Sequence, residues 1–393
     1  RGPWRRAASG ESQEGSGMDG PEPVPSDALS GGSAALPGEA DAPARPSLGR
    51  SQVVAVILFL AVAVAGTYLV KWHPYYLKGF KVAASHSMGA SIVGGHGAAA
   101  PEGWSAALDY AYQYGKDIWQ ALVVGLLVGA GVQELLPRDW LLAVLGEGRF
   151  RCTALGGLIA LPSMMCTCCS APPTVSMARA RASVGATMAY WLGNPVLNPA
   201  TLVFMAIVLG WRWALLRVAV GLLLVLGVAS LAQRLFGQAQ VPDAARQAVA
   251  ESQVAGSGRP LTLRYLSTLG RLCVGLIPEY ALVVLALGAA RAFLFPTITP
   301  GIGHAAWLVI VLAVTGTLFV IPTAAEVPII QAFVGFGLAA GGAGALLVTL
   351  PAVSLPSLVM VGRAVPSRVL AFVAGAVVVA GLLTAGLAAA WGL

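Results

Sequence analysis

Uncharged apolar stretches of roughly twenty residues recur along this chain, and few folds accommodate them. A helix of that length spans about 30 Å, the thickness of a hydrocarbon core. In lipid every backbone N–H and C=O needs an internal partner, which a helix supplies within itself. The sequence has no repeated ten-residue alternating strands of the kind that build a transmembrane barrel. Of its 393 residues, 57% are hydrophobic and 10% charged, whereas soluble domains carry about a quarter charged residues. The chain therefore reads as an all-α polytopic membrane protein.

The formal net charge of +7 points away from nucleic acid, because the arginines fall in short segments between apolar blocks, as the positive-inside rule expects. Five cysteines are too few for a disulfide framework in a chain of this length. Cys152 and Cys273 sit alone in apolar context and read as small buried hydrophobes. No G-x-x-x-x-G-K-[ST] sequence is present, so the chain is not itself a P-loop ATPase.

Residues 1–52 are rich in Gly, Pro, Ser, Ala and Glu and read as a disordered tail, with Met18 a candidate start. The first apolar block, Val53 to Val70, is expected as a transmembrane anchor, since Lys71 follows it and no cleavage site does. Residues 71–117 are expected as an extracytoplasmic loop. It carries His73, His86 and His96, which lack the short-range spacing of a metal-ligand pair.

Two series of five apolar elements follow, in repeats expected over 118–233 and 272–393, with a cytoplasmic loop over 234–271. Leu161-Pro162-Ser163 has its counterpart in Ile321-Pro322-Thr323, Pro172 in Pro328, Gly185 in Gly341, Pro195 in Pro351 and Arg217-Val218 in Arg368-Val369. A constant order at an offset of roughly 150 to 160 residues indicates a duplication. In the first series 154–165 and 171–180 would span only about 18 and 15 Å as helices. They read as a re-entrant hairpin, and a helix running unbroken through 154–180 would have to absorb Pro172 and Pro173. Three full crossings plus a hairpin invert the second repeat relative to the first. The expectation is about nine full transmembrane segments: an N-terminal helix plus two inverted repeats, each with a re-entrant broken-helix hairpin. Placing 137–151, Arg179, Arg181, 234–271, Arg363 and Arg368 in the cytoplasm gathers most arginines there and puts the N-terminus inside, although Arg212 and Arg291 fit less well.

The hairpin tips carry the chemistry. The first contains Met164, Met165, Cys166, Cys168 and Cys169, and the second contains Glu326. Thiolates bind soft ions such as Cu(I), Zn(II) and trivalent arsenic. Three sulfurs within four residues converge on one ion if the backbone there is not helical, although small Cys side chains also let helices pack closely. Carboxylates in apolar stretches are functional candidates by default, so Glu326 is the expected proton-coupling group. Glu279 is a second candidate that fits an interfacial position equally well, while Glu134 reads as a solvated helix end. Asn194-Pro195 and Asn198-Pro199 break a helix, and the two amides would either satisfy freed carbonyls or line a substrate path.

At Cys166-Thr167-Cys168-Cys169-Ser170-Ala171-Pro172, followed by Arg179, Arg181, Gly185-Ala186 and Pro195, the sequence resembles the ArsP-like family of predicted membrane permeases. That family includes organoarsenical efflux proteins, and its pattern is Cys-Ser-Cys-Gly-x-x-Pro. The resemblance runs from roughly residue 118 to the end. Cys169 stands where the family has Gly, and the Asn-Pro pairs belong to a sub-group. The resemblance implies a permease with cysteine-mediated binding of a soft ion.

The function expected is a multi-pass secondary permease of the plasma membrane, exporting a thiophilic metal or metalloid (trivalent arsenical, copper or zinc) by alternating access. Cys166, Cys168 and Cys169 would hold the substrate, Asn194 and Asn198 would line its path, and no cofactor is called for. The alternative is a membrane thiol–disulfide protein using the same cysteines, which requires an exposed, low-pKa thiol.

Overall fold

The computed structural model describes residues 50–89, 103–136, 138–238, 260–294, 303 and 305–393. The tail before residue 50, His96, Pro137, Pro296 and most of the loop over 234–271 lie outside the described residues. The regular structure described is helical, without strands among the described residues.

Eleven elements position the site. They are α1 (Val53–Ser85), α2 (Trp104–Glu134), α3 (Phe150–Ala160), α4 (Thr167–Arg179), α5 (Val184–Val208), α6 (Trp211–Phe236), α7 (Leu261–Leu294), α8 (Ala306–Leu318), α9 (Glu326–Gly335), α10 (Ala340–Gly362) and α11 (Ser367–Ala390). Both α2–α6 and α7–α11 run long, short, short, broken, long. Seven helices among the described residues are long and apolar enough to cross a membrane, where about nine were expected. Helices α3, α4, α8 and α9 have 11, 13, 13 and 10 residues. None exceeds about 20 Å, short of a bilayer core. Helix also occupies much of 71–117, since α1 continues to Ser85 and α2 starts at Trp104.

The broken elements break where local chemistry dictates. Between α3 and α4, Leu161–Ser163 tighten into a 3₁₀ turn and Met164 adopts φ 46°. Between α8 and α9 the chain is non-helical, and Ala324 adopts φ 69°. Helix α5 interrupts at Leu197–Asn198 and resumes with Pro199 at its first position, where a missing N–H costs nothing. Helix α10 interrupts at Val353–Ser354 and resumes at Leu355, with Pro356 in its first turn. Ser354 and Ser357 close a reciprocal capping box there.

The core is made of these broken elements. Every described side chain from Cys166 to Ala178 is buried, and so are those of Gly185–Asn198 and Gly342–Ser354. Helix α2 runs antiparallel to α7, with Tyr265 donating to the Leu127 carbonyl at one end and Gly288 against Ala107 at the other. It runs parallel to α4, which starts beside its middle. Gly125 makes this approach possible: a Cβ there would lie 2.3 Å from the Cys169 carbonyl oxygen. That carbonyl is one that Pro173 deprives of its helical donor.

Helix α1 packs differently. Only Phe59, Lys71 and Val82 are buried among its described side chains, and Val54, Ile57, Leu58 and Val64 face outward. An apolar exterior of this kind is stable in lipid and not in water.

Candidate functional site

The α3–α4 and α8–α9 connections, the two tips, meet the two helix interruptions at one place. From the first half come Cys166 and Pro195, and from the second Thr323, Glu326 and Pro351, around a cavity of about 10 Å³. That is room for about one water molecule.

Asn194 organises the first tip. Its Oδ1 accepts from the Ser163 hydroxyl and from the Met165 N–H at 3.3 Å, while its Nδ2 donates to the Tyr190 carbonyl at 2.9 Å. Asn198 caps the resumed half of α5, its Oδ1 accepting from the N–H groups of Ala200 (3.1 Å) and Thr201 (3.3 Å). The buried Asn198 Nδ2 has no partner. Asn194 thus ties the first tip to α5 and Asn198 caps its resumed half, while neither amide donates to the Trp191 or Pro195 carbonyl that Pro195 and Pro199 leave without a helical donor.

The cysteines do not converge as a trio. Cys166 is the N-cap of α4 with extended backbone (φ −75°, ψ 170°), and Thr167 onward is helical. Its sulfur lies 2.9 Å from that of Cys169, one turn on. Successive helical residues point about 100° apart, so Cys168 faces elsewhere, toward the hydroxyls of Ser354 (3.5 Å) and Tyr114 (3.8 Å). The non-helical backbone that a three-sulfur site requires ends at Cys166. Among the described residues no group of three His, Cys, Asp or Glu is placed to hold a metal ion. His73 and His86 form no such group either. The three thiols are free and buried, Cys166 being the most exposed at 4%. The thiol–disulfide alternative requires accessible sulfur, which these positions lack.

Glu326 is 1% exposed and opens α9. Its Oε1 pairs with the guanidinium of Arg217 on α6 at 2.8 Å, and Arg217 is fully buried. Arg217 does more than pair. Its Nε and NH2 donate to the carbonyls of Val196 (3.0 Å) and Pro195 (2.8 Å), orphaned where α5 stops. Its NH1 donates to the Leu347 carbonyl at 3.3 Å, the acceptor whose helical donor is replaced by Pro351. One planar five-donor group therefore stitches both helix interruptions to the carboxylate at the second tip. In the sequence Arg217 stood out only as a repeat marker. An arginine within an apolar stretch, about two turns from the nearest helix end, was the signal that could have found it.

Helix α1 reaches both tips as well. Trp72 Nε1 donates to the Pro162 carbonyl (2.8 Å), Lys71 Nζ to the Thr323 hydroxyl (2.9 Å), and Tyr75 OH to the Thr323 carbonyl (3.2 Å). Two further ion pairs lie on α2 and α7. Glu134 accepts from Arg264 (2.9 Å) and Thr268 (2.7 Å), and Glu279 from Arg363 (2.6 Å). Arg179 lies within Coulombic reach of Arg271 and Arg363. Glu279 and Arg363 are each about a third or more exposed, which puts Glu279 in a half-exposed ion pair away from the tips.

The family model described as a predicted permease, ArsP_1, matches residues 165–389. That span covers both the cysteine run and Glu326. The UPF0718 protein YraQ of Escherichia coli (strain K12) is 46% identical over 331 residues, which cover 84% of this chain and 94% of that protein. No solved structure matches the chain. The matched span takes in the broken helices and nearly all of the second half, and the apolar helices are those of a multi-pass membrane protein, so the chain belongs to the ArsP-type family of predicted permeases.

Proposed function

We propose that this permease exports a thiophilic metal or metalloid species by alternating access, with Cys166 and Cys169 as its cargo ligands. The observation that carries the reading is the small cavity lined from both halves at once. A space for about one water holds at most a bare ion, so loading a ligated or aryl-bearing cargo requires the two tips to part. Paired discontinuous helices meeting at such a point are a recurrent plan of secondary transporters. The matching order of α2–α6 and α7–α11 supports two inverted repeats with re-entrant tips. By the positive-inside rule, the end bearing Arg179, Arg264, Arg271 and Arg363 faces the cytoplasm of a plasma-membrane protein.

Glu326 serves in this reading as the coupling carboxylate. A proton on it cancels the charge that holds Arg217, and release of Arg217 frees both helix interruptions together. Cys168 packs against Ser354 and Tyr114 and supports the tip. Phenylarsine oxide, Cu(I) and Zn(II) uptake into proteoliposomes under an imposed pH gradient tests this. Cys166→Ser and Cys169→Ser should each lower transport of the cargo by more than about tenfold, since losing one of two thiolates removes half of the coordination. Cys168→Ser should retain most activity. Wild-type rates in the first two variants would remove the cysteines from the mechanism.

A further inference from the structure

Lys71 is the one site residue whose charge neither half of the repeat balances. It is 6% exposed, and it lies on the otherwise lipid-facing α1. Its ammonium donates to the Thr323 hydroxyl and sits 5.6 Å above the Tyr75 ring. Among the described residues no carboxylate forms an ion pair with it, whereas Glu326 is already matched by Arg217. Thr323, its acceptor, lines the same small cavity as Cys166, and the groups of opposite potential within Coulombic reach of the ammonium are Tyr75, then Cys169 and Cys166. The helix is also specialised at this point. It widens into π-type turns over Tyr68–Trp72, a distortion that recurs at functional sites. Trp72 and Tyr75 fasten this turn to both tips. Helix α4, of 13 residues, directs its N-terminus at the same cysteine pair, which adds positive potential there.

An ammonium buried without a counter-charge is costly, and the cost falls when the loaded site is anionic. We propose that Lys71 determines cargo charge: the Cys166–Cys169 pair takes its cargo as a complex of net charge −1, the charge two thiolates carry when they hold one monovalent soft cation. In that step two S–H bonds break, two sulfur–metal bonds form, and two protons leave to water. The two thiols and M⁺ become a complex of charge −1 plus two H⁺. A divalent ion, or an aryl-arsenic(III) group joined to the same two sulfurs with loss of its hydroxyls as water, gives a neutral complex that leaves Lys71 unbalanced. This inference rests on the cysteine pair being the cargo ligands, and it narrows the cargo class.

The test is equilibrium dialysis of the purified full chain against Ag(I) and, separately, against phenylarsine oxide, read as the ratio of the two affinities. Lys71→Met should lower that ratio by on the order of 100-fold, the scale of breaking a buried charge pair. Lys71→Arg should keep it within about threefold, since the charge is retained and only the fit changes. Retained phenylarsine oxide binding shows that the variant is folded. If Lys71→Met binds neither ligand, the same ratio is read from Lys71→Gln. An unchanged ratio in the neutral variants overturns the proposal and leaves the cysteine pair standing. Failure of the wild type to bind either ligand, or equal binding after Cys166→Ser, overturns the cysteine pair and the Lys71 proposal with it.

Discussion

Replacing Arg217 with Met should cost this protein most of its folded stability, although Arg217 lies on a helix that sequence marks only as apolar. The side chain is fully buried and makes four interactions: three with carbonyls of Pro195, Val196 and Leu347, and one with Glu326. Removing one partner of a buried ion pair costs about 3–5 kcal/mol. Each carbonyl left without a donor adds about 1–3 kcal/mol. The lowest combination, about 6 kcal/mol, already rivals the net stability of many domains, about 5–15 kcal/mol. Arg217→Lys should recover part of this, because one ammonium keeps the charge yet cannot span both helix interruptions. Arg217→Met combined with Glu326→Gln should be more stable than Arg217→Met alone by about 3 kcal/mol, since the stranded charge is gone while the carbonyls stay orphaned. Denaturant unfolding of the purified protein in bicelles, followed by tryptophan fluorescence, measures each term. Wild-type stability in Arg217→Met, or a double variant no better than the single, would refute the assignment of Arg217 as the tie between the halves.

Gly125→Ala should push α2 off α4, because its Cβ would meet the Cys169 carbonyl at 2.3 Å and that acceptor is backbone. A cost of about 1–3 kcal/mol, with loss of cargo binding at the displaced cysteine pair, is readable by unfolding and dialysis together. Asn198→Ala removes the N-cap of the resumed half of α5 and should cost about 1 kcal/mol. Asn194→Ala removes the acceptor for Ser163 and Met165, so its transport loss should exceed that of Asn198→Ala at comparable protein yield.

Hydropathy alone identified the lipid-exposed helices, because an apolar block of about twenty residues has one economical structure in a bilayer. Among the described residues seven helices are long and apolar enough to cross, against the about nine expected. The order of prolines and glycines in the two series located both helix interruptions, at Pro195–Pro199 and Pro351–Pro356, since proline acts on its own backbone wherever it sits. Residues 71–117 read as a loop because His, Tyr and Lys dilute the hydropathy there, yet helix continues to Ser85 on the strength of docking to both tips.

The cysteine cluster shows the boundary best. Sequence alone established that thiols are concentrated at one tip and a carboxylate at the other, a matter of residue type and spacing. Which sulfurs share a face was decided only by the backbone: Cys166 ends the non-helical tip, Cys169 returns one turn later, and the helical rotation carries Cys168 away. Partnership over distance was likewise invisible in sequence. Lys71 read as the boundary of an anchor and Arg217 as a repeat marker, because a charge in a sequence carries no record of what it faces. Folding brings Thr323, 252 residues from Lys71, to its ammonium, and sets Glu326 and two helix interruptions around one guanidinium. Burial then makes those partnerships strong, since a charge removed from water must find its partner within the protein.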